Sequence, residues 1–515
     1  MVAAGFRLEF AWVLGLVCIL SHCAPIHDAT PANCPTGQEP SGASCVCVLT
    51  QAAPIDGQCP LANKPSCKVE DCVDDGNPCT QPTCLERADT CGNEPVAAPA
   101  SCEVDGAAGS CVSGTCVVES PQWELGTPFR ISGDPHEIVG PQVALAANGD
   151  GIAMWGEGYA LTVSYFDPEG GWSEPVVVEE DAYPRRAFSL GTDSLGNAIF
   201  VYQRVEATSI DTRAVRFDSS TRLWGHSEVI SRDGAIANSS LVRVSSEGDV
   251  WAVWTETPGD ILLRRTRTTA LGWETPIVAL SDGAPKRSPR ATLGDNGAGA
   301  VAFYGNDAAN QANSLWVAAI DPEGSVGTAV RVDPNVGNVS LATIASNEDG
   351  ELMAVWEQVD DIWFAHFVNE QWEPPALIEA STDAACCSAL EADGAGNFLA
   401  AWGQGRNMRA RRFSREAQQW EDIEVLSGDD NYTAIRPSVK AAPNGEAWLV
   451  WLEGPVIRMS HFTPETRWSY PENLSPSLED TDPPIALPRL SRAADGTLAV
   501  VWADGGYVWA WVDRP

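Results

Sequence analysis

Short apolar runs recur along this chain, each opening after a turn-type glycine and closing on an aromatic residue six positions later. The pairs are Gly149/Trp155, Gly196/Tyr202, Gly248/Trp254, Gly297/Phe303, Gly350/Trp356, Gly396/Trp402, Gly445/Trp451 and Gly496/Trp502, spaced 46 to 53 residues apart. A period near fifty made of short strands predicts a radial β-repeat. Positions two, four and six after the glycine read Val250, Ala252, Trp254 in one repeat and Leu498, Val500, Trp502 in another. The positions between them, Trp251, Val253, Ala499 and Val501, are apolar as well. A strand that is apolar on both faces is buried on both faces. That is the middle of a propeller blade, whereas a two-sheet sandwich would leave one face polar.

The residues flanking each glycine supply the rest of the blade. Asn148, Asn296, Asn444, Asp349 and Asp495 precede their glycines, and Asn-Gly or Asp-Gly suits a tight turn between two strands. Upstream lies an innermost strand, marked by Pro141, Pro289, Pro437 and Pro488 eight residues before the glycine and by an apolar residue six before it. Repeat five reads as displaced by about one residue. A third strand follows the aromatic. A fourth begins at Trp172, Trp224, Trp273, Trp372, Trp420 or Trp468, while repeat four has lost that tryptophan and reads through residues 324–330 instead. The last repeat stops after three strands, and residues 123–132 carry a matching fourth strand at the other end. The expected fold is all-β: an eight-bladed β-propeller over residues 119–515, with seven blades as the alternative count. Its last blade is closed by the N-terminal strand, which removes open sheet edges.

Ahead of the repeats, residues 1–23 read as a signal peptide, with Arg7 before an apolar stretch of about eleven residues, too short for a permanent membrane span. The chain is therefore expected to be exported. Leu20-Ser21-His22-Cys23 resembles a bacterial lipobox, which implies Cys23 as the acylated residue, although His22 stands where that pattern has a small one. Ordinary cleavage after Cys23 is the other reading. Lipidation would place the protein at an outer membrane or cell surface, and ordinary cleavage in the periplasm or outside the cell. Residues 24–118 hold Cys34, Cys45, Cys47, Cys59, Cys67, Cys72, Cys79, Cys84, Cys91, Cys102, Cys111 and Cys116 with few large apolar residues. Such a segment needs crosslinks in place of a core, so six disulfides are expected, their pairing open. Its second half resembles the small, EGF-like modules of secreted bacterial surface proteins, which implies a stalk or adhesion spacer.

Seventy Asp and Glu against 32 Lys and Arg give a net charge of −38, which argues against nucleic-acid binding and leaves a lipid anchor as the route to a membrane. Candidate chemistry is sparse. His136, His226, His366 and His461 are not in metal-type pairs, there is no nucleophile elbow or phosphate loop, and neither metal nor cofactor is expected. Phe129-Arg130-Ile131-Ser132 resembles a segment of sialidase-type propellers, which implies that Arg130 grips a sugar-acid carboxylate. The Ser-x-Asp-x-Gly-x-Thr-Trp box of those enzymes is absent. Cys386 and Cys387 are adjacent at the entry to an innermost strand, either as a vicinal disulfide or as two thiols. A similar pair near the axis occurs in eight-bladed quinone-dependent dehydrogenases, whose tryptophan docking motif this chain lacks. The repeats as a whole resemble the propellers of exported bacterial lipoproteins, some of which share the sialidase superfamily's shape. The functional expectation is a cell-surface binding or adhesion protein rather than an enzyme, holding a glycan or protein on a loop face or channel mouth. A sialidase-type glycoside hydrolase and a purely structural surface protein are the alternatives.

Overall fold

A computed structural model describes residues 126, 128–183, 187–280, 285–306, 313–334, 337–379, 381–427, 432–475 and 488–514, together with the backbone of seven short strands between residues 38 and 118. The chain divides into two compact units, residues 1–75 with 82–94, and residues 76–81 with 95–515. Ahead of the propeller, Gln38–Ser41 pairs with Ser44–Cys47, and Thr80–Leu85 pairs with Thr90–Pro95. Ser101–Val104, Ala107–Val112 and Thr115–Val118 form a three-stranded sheet. Residues 1–23, Cys23 and the side chains of the twelve cysteines between Cys34 and Cys116 lie outside the described residues, as does Trp123.

The repeats form eight antiparallel sheets. Their inner strands are Ile138–Leu145, Phe188–Thr192, Ala237–Val244, Lys286–Leu293, Val339–Ser346, Ala385–Ala392, Ala434–Ala441 and Arg489–Arg492, and these define blades one to eight. Each inner strand packs against the next, and the eighth against the first, so the sheets close into an eight-bladed ring and the seven-blade count is excluded. Closure uses both chain ends. Phe129–Arg130 pairs with Tyr507–Asp513 as the outermost strand of blade eight, with Phe129 opposite Ala510 and Arg130 opposite Trp509. Just beyond, the Ile131 amide donates to the Val508 carbonyl at 2.9 Å, and the Val508 amide donates to Ser132 Oγ at 2.9 Å. Ile131 is buried with Val508 and Ala510 of blade eight and Ile138 and Trp155 of blade one. Ile131→Ala is expected to cost about 2–5 kcal/mol, read by denaturant unfolding, because the cavity falls where the ring is joined.

The turn glycines do what their neighbours imply. All eight adopt φ between +81° and +96°, which a Cβ would disfavour. Their turns are also tied to one another around the ring. The Asp495 amide donates to the Ala147 carbonyl, Ala147 to Ser194 and Ser194 to Ser246, at 3.0–3.1 Å. The Ser246 amide continues to Asp295 Oδ1 at 2.8 Å, and the Asn296 and Asn347 side chains reach the Glu348 and Gly396 carbonyls. This belt runs from blade eight through blade six.

Between the blades, the repeated aromatics form the core. Trp155, Trp254, Trp356, Trp402 and Trp451 are fully buried. Each donates its indole N–H to the residue two positions on: Glu157 at 3.3 Å, Glu256 at 2.8 Å, Gln358 at 3.2 Å, Gln404 at 3.3 Å and Glu453 at 3.0 Å. A buried indole N–H needs such a partner, and a carboxylate or amide two residues along the same strand supplies it. Further out, the fourth-strand tryptophan packs on the last phenylalanine of the third strand, as in Phe166–Trp172, Phe217–Trp224 and Phe413–Trp420, with centroids 5.0–5.4 Å apart.

Six of the eight inner strands carry a bulge near their start, with the residue nine before the turn glycine in left-handed conformation. Gly140, Ser239, Ser288, Leu341, Cys387 and Arg436 have φ between +45° and +61° there. Repeat five is not displaced: Ile344 pairs with Ala354 as Val242 pairs with Ala252, both six before the glycine.

Candidate functional site

An inner strand has one edge with no strand beyond it, and eight such edges face the axis. Unpaired backbone groups there need partners, and side chains from adjacent blades provide them. The Gln142 amide donates to the Phe188 carbonyl at 2.9 Å and accepts from the Leu190 amide at 3.0 Å, joining blade one to blade two. Ser438 and Ser491 accept from the Leu490 and Leu145 amides at 3.2 and 3.1 Å. Arg243 donates to the Ala291 and Val242 carbonyls at 2.8 and 2.9 Å.

The same strands carry most of the axial charge. Arg243 on blade three, Arg290 on blade four, Arg436 and Lys440 on blade seven and Arg489 on blade eight are cationic, and Glu391 on blade six is anionic. Lys440 holds Glu391 at 2.6 Å. No carboxylate among the described residues pairs with Arg290, Arg436 or Arg489. Arg290 and Arg489 occupy the same register, each seven before its turn glycine, on blades four and eight, which are opposite in a ring of eight. Burial, then the charges of Arg436 and Arg290, push the Arg489 guanidinium below its ordinary pKa. Burial, then Arg290, push Arg243 down likewise, while Glu391 pulls it back. Arg290 thus acts electrostatically on Arg243 of the adjoining blade and on Arg489 of the opposite one. Tyr304 lies beside Arg290 between blades four and five. Its hydroxyl accepts from the Ala342 amide at 2.7 Å, and burial raises its pKa.

Chemically, these strands offer cations that match an anion. Guanidinium groups are weakly hydrated, always charged and forked to match carboxylates. Several held close together without carboxylate partners repel one another, and an entering anion relieves that repulsion.

The residues singled out from sequence fall in different places. Arg130 is on the outermost strand of blade eight, exposed, its guanidinium 4.5 Å from the Tyr507 ring centroid. It stands three strands from the axis and does not join the channel arginines, so the carboxylate grip implied for it is not formed there. Cys386 and Cys387 are joined as a vicinal disulfide at the blade-six bulge, half-buried. Blades three, four, five and seven build the same left-handed bulge with Ser239, Ser288, Leu341 and Arg436, so this geometry belongs to the repeat and not to the disulfide. The histidines are dispersed. His366 is buried between Glu351 and Glu373 and packs on Phe413 at 4.9 Å. His461 stacks on Trp448 at 4.6 Å, with burial lowering its pKa. His136 is exposed beside Glu157. Among the described residues no three His, Cys, Asp or Glu are grouped to hold a metal ion.

The sequence reading missed the channel cations, although the signal was present. Counting back from each turn glycine puts Arg290 and Arg489 at one register position and Arg243 and Lys440 at another.

No protein-family model and no curated protein matches the chain. Among solved structures it is similar to the BP39L lectin from Burkholderia pseudomallei at 14% identity, over 67% of this chain and 100% of that one, with a TM-score of 0.47. It is similar to the Dos1 propeller at 9% identity, over 75% and 95% of the two chains, with a TM-score of 0.47. A polysaccharide lyase, an ulvan lyase, aligns at 11% identity over 61% and 89%, with a TM-score of 0.39. These are likenesses of propeller shape alone.

Proposed function

We propose that this propeller is the binding domain of an exported surface protein, and that it captures an acidic glycan by its carboxylate in the central channel. The reading rests on one observation: Arg290, Arg436 and Arg489 all lie on innermost strands, within electrostatic reach of one another, with no carboxylate partner among the described residues. Like charges gathered without counter-charges do not stabilise a ring, and rule-breaking clusters of this kind mark functional positions. Hydrolysis is less well supported. Glu391 shares the channel but is held by Lys440 at 2.6 Å, which suits a fixed charge better than a proton donor.

A glycan array on the full-length protein tests this. The expected result is saturable binding to uronate- or sialate-bearing glycans over their neutral counterparts, weakening as salt rises because exposed charge is screened. Equal binding of neutral and acidic glycans, or none, sinks the proposal. Turnover of a fluorogenic sialoside would replace binding with hydrolysis.

A further inference from the structure

One position on the third strand of each blade faces the next blade, together with its cross-strand neighbour on the second strand. In six blades at least one member of the pair is large: Ile152/Tyr165, Ile199/Arg216, Trp251/Arg265, Met353/His366, Leu399/Arg412 and Trp448/His461. Several of these side chains cross to the next blade. Tyr165 stacks on Phe217 at 5.4 Å, His366 packs on Phe413 at 4.9 Å, and Arg216 lies 5.2 Å from the Trp273 ring. In blade four both members are alanine, Ala300 and Ala319. Phe367 of blade five, the counterpart of Phe217 and Phe413, therefore receives no ring from blade four, and its stacking partner is Trp372 of its own blade at 5.4 Å.

The consequence is a cavity of about 360 Å³ between blades four and five, floored by Ala319, Ile320, Leu352 and Phe367 and rimmed by Asp321 and Ser346. The equivalent crevice between blades one and two, where Tyr165 is present, measures about 40 Å³. Tyr165 largely fills the smaller crevice, whereas the larger leaves room for a planar ring. Asp321 and Ser325 at the rim are exposed, so the cavity opens to solvent. The groups that fill the equivalent place elsewhere, a phenol, an imidazole and guanidiniums, are all planar and all hydrogen-bond donors. Here the acceptor Asp321 stands at the edge.

We propose that the cleft between blades four and five is a second binding site, for a small planar aromatic ring bearing a hydrogen-bond donor, of indole or phenol type. The ring lies over Phe367 in the place that Tyr165 and His366 take in their own interfaces, and its N–H or O–H is directed to the Asp321 edge. The site is separate from the axial arginines.

Calorimetric titration of the full-length protein with indole, with cyclohexanol as the non-aromatic control, tests the assignment. Indole is expected to bind saturably and cyclohexanol about two- to tenfold more weakly, in keeping with ring stacking. Ala319→Tyr rebuilds the blade-one arrangement, and it is expected to abolish indole binding and raise the melting temperature. Ala319→Ser keeps the space and is expected to keep the binding. If Ala319→Tyr does not fold, Ser346→Phe closes the cleft from blade five and carries the same expectation. Absence of saturable indole binding in the wild type overturns the proposal. So does binding that persists unchanged in a folded, filled variant.

Discussion

Replacing Arg436 and Arg489 together by glutamine is expected to weaken acidic-glycan binding by at least about 100-fold and to leave the melting temperature unchanged or higher. Each hydrogen bond to a charged partner contributes about 1.5–3 kcal/mol, roughly one to two decades of affinity. The opposite sign on stability follows from the neighbours. Burial and the charges of Arg436 and Arg290 already disfavour the charged form of Arg489. Neutral glutamines remove that repulsion without breaking an ion pair, since neither arginine has a carboxylate partner among the described residues. Arg130→Gln is the control. Its side chain lies on the outermost strand against Tyr507, so its loss should leave binding intact. Calorimetric titration with an acidic glycan, alongside a thermal melt, reads all three variants. Binding abolished by Arg130→Gln and spared by the double substitution would move the site to the outer rim.

Trp254→Ala should be among the most damaging single changes, costing about 3–5 kcal/mol through lost contact and the cavity left behind. Trp254 is fully buried between blades two and three, and its Nε1–H donates to Glu256, itself 3% exposed. Trp254→Phe separates the two contributions. It keeps much of the ring but leaves a buried carboxylate oxygen short of a donor, a loss of about 1–3 kcal/mol. The lower end is expected, because Arg232 still holds Glu256 at 2.6 Å through its guanidinium and at 3.0 Å through its amide. Urea unfolding of both variants gives the comparison. Equal losses would mean that ring volume contributes nothing at this position.

Much of the architecture could be read from residue order because a propeller repeats its physics. Gly248 and Trp254 fix a turn and a buried strand locally, and eight copies at a steady interval leave few ways to arrange them. The closing strand was legible for the same reason: Phe129-Arg130-Ile131-Ser132 ends as the other fourth strands do. The bulges were not, since Ser239, Leu341 and Arg436 share no side-chain chemistry; what they share is a backbone position nine residues before the turn glycine. The functional positions were harder again. Arg290 and Arg489 are nearly two hundred residues apart and come within electrostatic reach only because the ring brings opposite blades around one axis. The cleft beside Phe367 comes from what blade four omits. Ala300 and Ala319 are unremarkable as residues and become meaningful against Ile152/Tyr165 and its equivalents once the register is known.

The arginines sit at the hub of a molecule whose formal charge is −38. An arriving anion is repelled at long range before it is attracted at close range. Added salt shortens the reach of the outer repulsion first, so encounter should speed up under the same conditions that loosen the final complex. Long, uniformly charged polymers meet the greatest opposition. A chain that is neutral along its length and acidic only at its tip meets the least, so arrival rates should separate acidic ligands that equilibrium affinity alone would not.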